Sequence, residues 1–219
     1  MRTDAQIKQD VLDELVFQPS IDETQIGVIV KNGIVTLTGK VFTYANKMAA
    51  EKAVKKVKGV KAVAEDIEVG YDTRENKTDT EIANAIIDSL QWNTAVPEEK
   101  IKVKVEDGYV YITGEVDWWY QKEATNRVIQ NLIGVKGIFN HITIKQIAEK
   151  PFQIKERISK AFERSAHIDA NNITLELIDD HIIRLKGKVH SLAEKEEAQK
   201  AAFYAPGIYE VENDLEVIS

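Results

Sequence analysis

The sequence predicts an α+β protein of three tandem small domains, each with the order αββαβ and a three-stranded mixed sheet that carries two helices on one face. The first observation is a strand cassette that occurs three times, at residues 35–41, 110–116 and 183–189. The second is a glycine with a following aliphatic residue, 20 positions after each cassette glycine, at Gly59, Gly134 and Gly207. The repeats place the domains at residues 1–70, 76–146 and 150–219.

Each copy begins with an amphipathic helix. In the first copy Ile7, Val11 and Leu15 are four positions apart and therefore share one helix face. The pattern returns after 75 residues and again after 72 more, as Ile82, Ile86, Leu90, Ile154, Ile158 and Phe162. We predict that these helices start at Thr3, Thr78 and Pro151. Threonine is a favourable N-cap residue, and proline is favourable in the first turn of a helix.

Two strands follow the first helix and alternate apolar and polar residues, as half-buried strands do. Asn32-Gly33 and Asp107-Gly108 are two-residue hairpin turns, because both positions of such a turn need positive φ. The third copy has no glycine there and gains one residue, which predicts a longer hairpin. The cassette glycine falls on the inward side, where a missing side chain lets a neighbouring backbone approach.

A second helix and a last strand complete each copy. Ser191 and Glu194 have the spacing of a capping box at the start of this helix. A helix between the second and third strands makes these two strands parallel through a right-handed crossover. The pattern leaves open which strand is central.

The composition is that of a soluble globular protein, with 43% hydrophobic and 30% charged residues. The net charge is −7, divided as 0, −3 and −4 over residues 1–70, 71–147 and 148–219, which argues against nucleic-acid binding. There is no cysteine, no metal-binding histidine spacing and no nucleophile motif, so we expect no metal, no cofactor and no enzyme activity. We expect no transmembrane segment. A cytoplasmic location is expected because no signal peptide is recognisable, or a periplasmic one if such a peptide has been removed.

The repeat resembles the BON domain of bacterial osmotically inducible and nodulation proteins. The resemblance rests on the pattern G-x-V-x-L-x-G-x-V at residues 33–41, its counterpart at 108–116, and the closing step at residues 134–140. Departures are His181 in place of the hairpin glycine, and Glu65 where the other copies have Asn140 and Asn213. The resemblance implies a non-enzymatic, stress- or envelope-associated binding module without catalytic residues. It also implies that the ligand is a phospholipid surface, as for periplasmic relatives, or potassium, as for a cytosolic relative.

The outward face of the second sheet combines aromatic and basic residues. Since the inward residues are fixed by the aliphatic set, the alternate positions must face the other way. These candidates for a ligand or protein interface are Lys102, Lys104, Tyr109, Tyr111, Phe139 and His141. They could stack a ligand, or pack against a neighbouring repeat or a second chain.

Two tryptophans of the second copy are further interface candidates. Trp92 follows the first helix, and Trp118 occupies the helix-start position of Thr43 and Ser191, so both are expected to be exposed. Exposed tryptophan suits a membrane interface, whereas packing between repeats is the alternative. Trp119 aligns with Tyr44 and Leu192 and is predicted to be a core residue.

The second helix of the first copy is rich in lysine. The candidates for a contact with anionic lipid are Lys47, Lys52, Lys55, Lys56 and Lys58. A solvated helix face is the alternative.

These features favour a non-enzymatic bacterial protein that binds phospholipid membrane surfaces under stress. The alternatives are a cytosolic sensor of potassium or another small ligand, and a protein-interaction scaffold or oligomer. The oligomeric state stays open.

Overall fold

The computed structural model describes residues 2–70, 77–145, 151–165, 168–179, 181–205 and 208–218. The first unit contains α1 (Asp4–Val16), β1 (Ile26–Lys31), β2 (Ile34–Val41), α2 (Tyr44–Lys56) and β3 (Ala62–Val69). The second contains α3 (Asp79–Gln91), β4 (Ile101–Glu106), β5 (Tyr109–Val116), α4 (Trp119–Ile129) and β6 (Gly137–Ile144). The third contains α5 (Pro151–Arg164), β7 (Ile173–Asp179), β8 (Ile182–Val189), α6 (Leu192–Phe203) and β9 (Glu210–Val217). The predicted fold class is confirmed.

The cassette strand is the central strand of every sheet. The strand order is β1-β2-β3 in the first unit, and the other units repeat it. The hairpin strands pair antiparallel, and the strands on either side of the crossover helix pair parallel, as predicted. The parallel register is the same in all three units, with the cassette glycines Gly39, Gly114 and Gly187 opposite Ile67, Ile142 and Leu215.

The core of each unit lies between the sheet and its two helices. Ile7, Val11 and Leu15 of α1 are at most 2% exposed and pack in one cluster with Val35 and Leu37 of β2. Equivalent clusters form in the second and third units. The apolar strand residues that the alternation predicted to face inward therefore line the core.

The cassette glycine is required by a close backbone approach. At Gly39 the backbone has φ +124°, and a Cβ there would lie 1.9 Å from the carbonyl oxygen of Gln25. Gly114 and Gly187 meet the equivalent carbonyls of Lys100 and Asn172. No side chain fits at this position, which confirms the predicted close approach.

A carboxylate at the start of the first helix holds the hairpin in two of the units. Asp4 accepts hydrogen bonds from the backbone N–H groups of Asn32 and Gly33 at 2.8 and 2.9 Å. Asp79 accepts the corresponding bonds at the second hairpin, with the same distances. The third unit has Pro151 at this position and so has no carboxylate there.

Three details of the third unit bear on the predictions. Its hairpin register shifts between Leu177 and Asp179, as the extra residue predicts. Only the first bond of the predicted capping box forms, in which Ser191 accepts from the N–H of Glu194. The Glu194 carboxylate accepts instead from the N–H groups of His190 and Asp169. Gly207, Asp180 and the segments between the predicted domains, residues 71–75 and 147–149, lie outside the described residues.

The second and third units meet through the first residue of α4. Trp119 stacks on Phe203 of α6 with 5.7 Å between ring centroids and an interplanar angle of 8°. Glu123, one turn further along α4, accepts a 3.1 Å hydrogen bond from the Tyr204 hydroxyl and pairs with Lys200 at 2.6 Å. The prediction that Trp119 is a core residue is wrong, because Trp119 is only half-buried and its ring contacts the next unit.

The equivalent residues make the other two contacts between units. Tyr44, the first residue of α2, packs against the core cluster of the second unit and hydrogen-bonds the backbone of Ile138. Leu192, the first residue of α6, packs against the core cluster of the first unit, and Glu196 pairs with Lys55. In all three contacts, the first residue of a unit's second helix packs against the next unit. These head-to-tail contacts close the three units into a ring.

Candidate binding surfaces

The outward face of the second sheet brings the predicted aromatic residues together. Tyr111 and Phe139 are register partners on neighbouring strands, and their rings stack with centroids 4.9 Å apart. Tyr109 lies 6.2 Å from Phe139, and its ring covers Gly137, where a Cβ would come within 2.9 Å of it. Tyr109 and Phe139 keep 42% and 45% of their surface exposed.

The basic candidates lie on the same face. Lys104 pairs with Tyr111 in the register, and its ammonium group is 5.6 Å from the ring centroid. It also pairs with Glu106 at 2.8 Å, and this hydrogen bond raises the pKa of Lys104. Lys102 and His141 flank Thr113 on the adjacent row and are exposed. All six predicted residues therefore share one surface.

The third sheet has the same register but a different outward face. Arg184 bonds Glu212 and lies 3.4 Å from Asp214, while Lys186 pairs with Glu176 at 2.8 Å. These pairs are charged and partly exposed. This face therefore lacks the aromatic cluster of the second sheet.

Trp92 and Trp118 lie at the same end of the second unit. Trp92 caps the C-terminus of α3 with 89% of its surface exposed, and Trp118 caps the N-terminus of α4 with 38% exposed. Phe17 occupies the position of Trp92 in the first unit and is 80% exposed. The sequence reasoning missed Phe17, although the 75-residue offset between these aromatic residues is visible in the sequence.

The lysine candidates of α2 and of the segment just after it do not form a single open patch. Lys47 donates to the carbonyl of Ile67 at 2.9 Å. Burial disfavours the charged form of Lys55, but hydrogen bonds to Glu196 and Glu51 outweigh it and raise its pKa. Lys56 reaches Glu14 at 3.5 Å. Lys52 and Lys58 are exposed.

A cleft between the first and second units was not anticipated from the sequence. Its volume is about 520 Å³. Its walls include three aromatic rings and three carboxylates, from Tyr44, Tyr109, Phe139, Glu51, Glu65 and Glu68. The signal available in the sequence was Glu65, since the other copies carry asparagine at this position.

Glu65 is the most unusual group of this cleft. Its Oε1 atom is buried and has no hydrogen-bond partner among the described residues. Burial raises the pKa of the Glu65 carboxyl, Lys47 opposes this rise, and the negative charge of Glu51 adds to it. Burial and the charges of Glu51 and Glu65 also raise the pKa of the Tyr44 hydroxyl. Burial is therefore the main cause of both pKa shifts, and the neighbouring carboxylates add to them.

The second and third units form an equivalent cleft of about 710 Å³. Trp119, Lys122 and Ile142 line it where Tyr44, Lys47 and Ile67 line the first cleft. Burial lowers the pKa of Lys122. The clefts thus share their geometry and differ in the residues that line them.

No group of three metal-ligating His, Asp or Glu side chains occurs within the described ranges. Among the same residues, no helix has the length and apolar character that crossing a membrane requires.

Comparison with known proteins gives consistent matches. The sequence profile of the BON domain matches residues 3–71, 78–146 and 152–219. The chain is 31% identical over 147 residues to osmotically-inducible protein Y of Escherichia coli K12, covering 65% of this chain and 73% of that protein. It is 28% identical over 149 residues to the 21 kDa hemolysin of Actinobacillus pleuropneumoniae, covering 64% and 76%. An alignment with CdsD, a structural protein of the type III secretion system of Chlamydia trachomatis, covers 96% and 91% of the chains at 15% identity, but its TM-score of 0.27 gives no information on function.

Proposed function

The chain belongs to the BON-domain family, and from this premise we propose that it is a non-enzymatic, stress-associated protein that binds phospholipid surfaces. The name of osmotically-inducible protein Y supports the association with stress. The observation that carries the membrane contact is Trp92, a large aromatic side chain that is 89% exposed at the end of a helix. Tryptophan in such a setting favours the boundary between water and lipid headgroups.

The surroundings of Trp92 suit shallow insertion. Trp118 lies at the same end of the unit, and Phe17 gives the first unit an equivalent exposed aromatic residue. Lys52 of the first unit is exposed and supplies an attraction to anionic headgroups of about 1 kcal/mol. Lys58 occupies the position of Ile133, at the end of the first unit away from Phe17, and takes no part. Insertion therefore depends on the aromatic residues, and the preference for anionic lipid depends on Lys52.

Vesicle flotation tests the proposal. The full chain is mixed with vesicles of phosphatidylcholine alone or with added phosphatidylglycerol, at low and at physiological salt. We expect the protein to float with the vesicles and Trp92→Ala to reduce the bound fraction several-fold. Absence of the wild-type protein from the floating fraction at low salt would contradict the proposal.

The matched control for Trp92→Ala is Ile133→Ala. Ile133 is 70% exposed in the same unit. It adjoins Gly134, whose carbonyl lies against the hairpin turn, whereas Trp92 lies at the far end of α3. We expect this control to bind like the wild type. Equal losses from both substitutions would show non-specific adsorption and would also contradict the proposal.

A second candidate function, protein binding, is favoured by the outward face of the second sheet. Tyr109, Tyr111 and Phe139 form a partly exposed aromatic cluster, and such clusters are enriched at protein interfaces. If a second copy of the chain is the partner, the mass in sedimentation will rise with concentration, and Phe139→Ser will prevent that rise. A constant monomer mass would exclude self-association through this face.

A further inference from the structure

We propose that the outward face of the first sheet binds the outward face of the second sheet in another copy of the chain. This assembly rests on the second candidate function, protein binding by the aromatic face of the second sheet, and gives that face its partner. The size of the side chains, their charge and the strand register of the two faces all favour the pairing.

The outward face of the first sheet is apolar and carries small side chains. Ile29 and Ile34 keep 60% and 46% of their surface exposed. Ala62 and Ala64, on the edge strand β3, are exposed as well. The register joins Ile29, Thr36 and Ala64 in one row across the three strands. This row contains no charged residue, so it offers an uncharged surface with room for larger side chains.

The second sheet carries large side chains where the first sheet has smaller ones. The positions of Ile34, Thr36 and Ala64, 75 residues further along the chain, are occupied by Tyr109, Tyr111 and Phe139. The rings of Tyr111 and Phe139 stack and form a ridge across two strands. Large side chains on one face and small ones on the other are what the close packing of two sheets requires.

The direction of the strands decides which residues meet. Two sheets of one topology, packed face to face with their strands in the same direction, place each edge strand over the opposite edge strand. β1 of one copy then lies over β6 of the other, β2 over β5, and β3 over β4, at an angle within about 30°. In this arrangement Phe139 meets Ile29 and Tyr111 meets Thr36, since these residues belong to equivalent rows.

An exposed charge on each face meets its opposite in the same arrangement. In the next row, Asp66 is the register partner of Thr38, and Lys102 is that of Thr113. Asp66 and Lys102 are exposed, and neither has an ion-pair partner among the residues that the structure describes. Placing β3 over β4 sets Asp66 opposite Lys102. With reversed strands β3 would lie over β6, which contains no lysine, so the ion pair selects one direction.

The third sheet suits neither side of this contact. The row that corresponds to the row of Ile29 consists of Glu176, Arg184 and Glu212. Arg184 bonds Glu212, and Glu176 pairs with Lys186 at 2.8 Å, so these charges are neutralised within one sheet. Another sheet on top of them would remove their hydration without supplying a new partner. The third unit therefore stays outside the contact.

The pairing of two different faces makes the contact heterologous. After one contact has formed, each of the two copies still has one unused face. A third copy can therefore bind, and assembly continues to a filament or to a closed ring of chains. Pairing of two second-sheet faces with each other would instead stop at a dimer.

Analytical ultracentrifugation of the full chain tests the pairing, with one variant for each face. Ile29→Asp disables the first face, and Phe139→Asp disables the second. We expect the wild type to exceed the mass of a dimer as its concentration rises, and each variant alone to stay monomeric. An equimolar mixture of the variants should form a dimer and nothing larger, because it retains one intact face of each kind. Ile178→Asp, at an exposed isoleucine of the third sheet, is the control and should assemble like the wild type.

A charge exchange tests the direction of the strands. Asp66→Lys should weaken the assembly several-fold, because it places two ammonium groups opposite each other. Adding Lys102→Asp to the same chain should restore the assembly, since every contact then carries the exchanged ion pair. A loss that persists in the double variant would overturn the proposed direction.

Three results would overturn the assembly itself. A wild type that is monomeric at every concentration excludes self-association, but it leaves the binding of another protein by the aromatic face intact. Dimers formed by Ile29→Asp alone would show that two second-sheet faces pair with each other. Monomers in the mixture of the two variants, both folded by circular dichroism, would exclude the pairing of unlike faces. Vesicle flotation is independent of all three results.

Discussion

The first and second units have one backbone and one core, but they differ where they border the next unit. Leu37 and Ile112 occupy the same buried position, and Asp4 and Asp79 hold the same hairpin turn. At a third equivalent position, Asn140 satisfies two backbone groups, whereas the Oε1 atom of Glu65 has no partner among the described residues. The difference teaches that the inward residues specify the fold and that a few residues at the borders distinguish the units.

The largest effect is expected from the shared core. Leu37→Ala and Ile112→Ala should each destabilise their own unit by about 2–5 kcal/mol, because both remove a fully buried side chain and leave a cavity. Hydrogen exchange read separately for each unit checks this. A large cost in one unit and almost none in the other would break the equivalence of the two cores.

A smaller and again equal effect is expected from the hairpin carboxylates. Asp4→Ala and Asp79→Ala should each cost about 1–3 kcal/mol, since two backbone N–H groups lose a charged acceptor. Faster amide exchange at Gly33 and Gly108 is the measurement. Asp88→Ala, at an exposed position of α3, is the control and should change little. Unchanged exchange at both glycines would contradict the role of the carboxylates.

The third prediction sharpens the difference between the units. Glu65→Asn should stabilise the first unit by about 0.5–1.5 kcal/mol, because the asparagine amide can make the bonds that Asn140 makes. Chemical denaturation of the ligand-free chain, followed by hydrogen exchange in the first unit, measures this. A destabilised first unit would mean that the Glu65 carboxylate already has a favourable partner in the fold.

The smallest effect is a pH dependence confined to the first unit. The pKa of Glu65 is raised in the folded protein above its ordinary value of 4.5, so the folded state binds this proton more tightly than the unfolded state. The stabilisation is present below pH 4.5 and is lost as the pH rises through the raised value. The ratio of unfolding midpoints of wild type and Glu65→Asn, measured across this window, should therefore change with pH. A constant ratio would contradict the raised pKa.

Much of the fold followed from the sequence, because periodicity reports which residues of one unit face inward. Val35 and Leu37 alternate with polar residues and are fully buried, and Gly39 meets the backbone that it was expected to approach. The central position of β2 did not follow, since the αββαβ order allows more than one arrangement of the strands.

The candidate surfaces followed less completely, because contacts between units depend on how the units are oriented. Alignment with Tyr44 and Leu192 predicted a core residue at Trp119, whereas its ring is half-buried and stacks on Phe203 of the next unit. The sequence showed that Glu65 departs from Asn140 of the second unit. It did not show which backbone groups Asn140 satisfies, because periodicity does not place the carbonyl of Lys122 beside it. The six residues of the second sheet share one face, as the alternation predicted, because they all belong to one sheet.

Closure of the three units into a ring depends on the contact between the third unit and the first. Carbodiimide crosslinking tests it most directly, because Lys55 of the first unit and Glu196 of the third form an ion pair. Mass spectrometry of the digested monomer should identify the peptide that joins these two residues, and Glu196→Gln should remove it. A monomer without this crosslink, while the pair of Lys200 and Glu123 is joined, would contradict the ring.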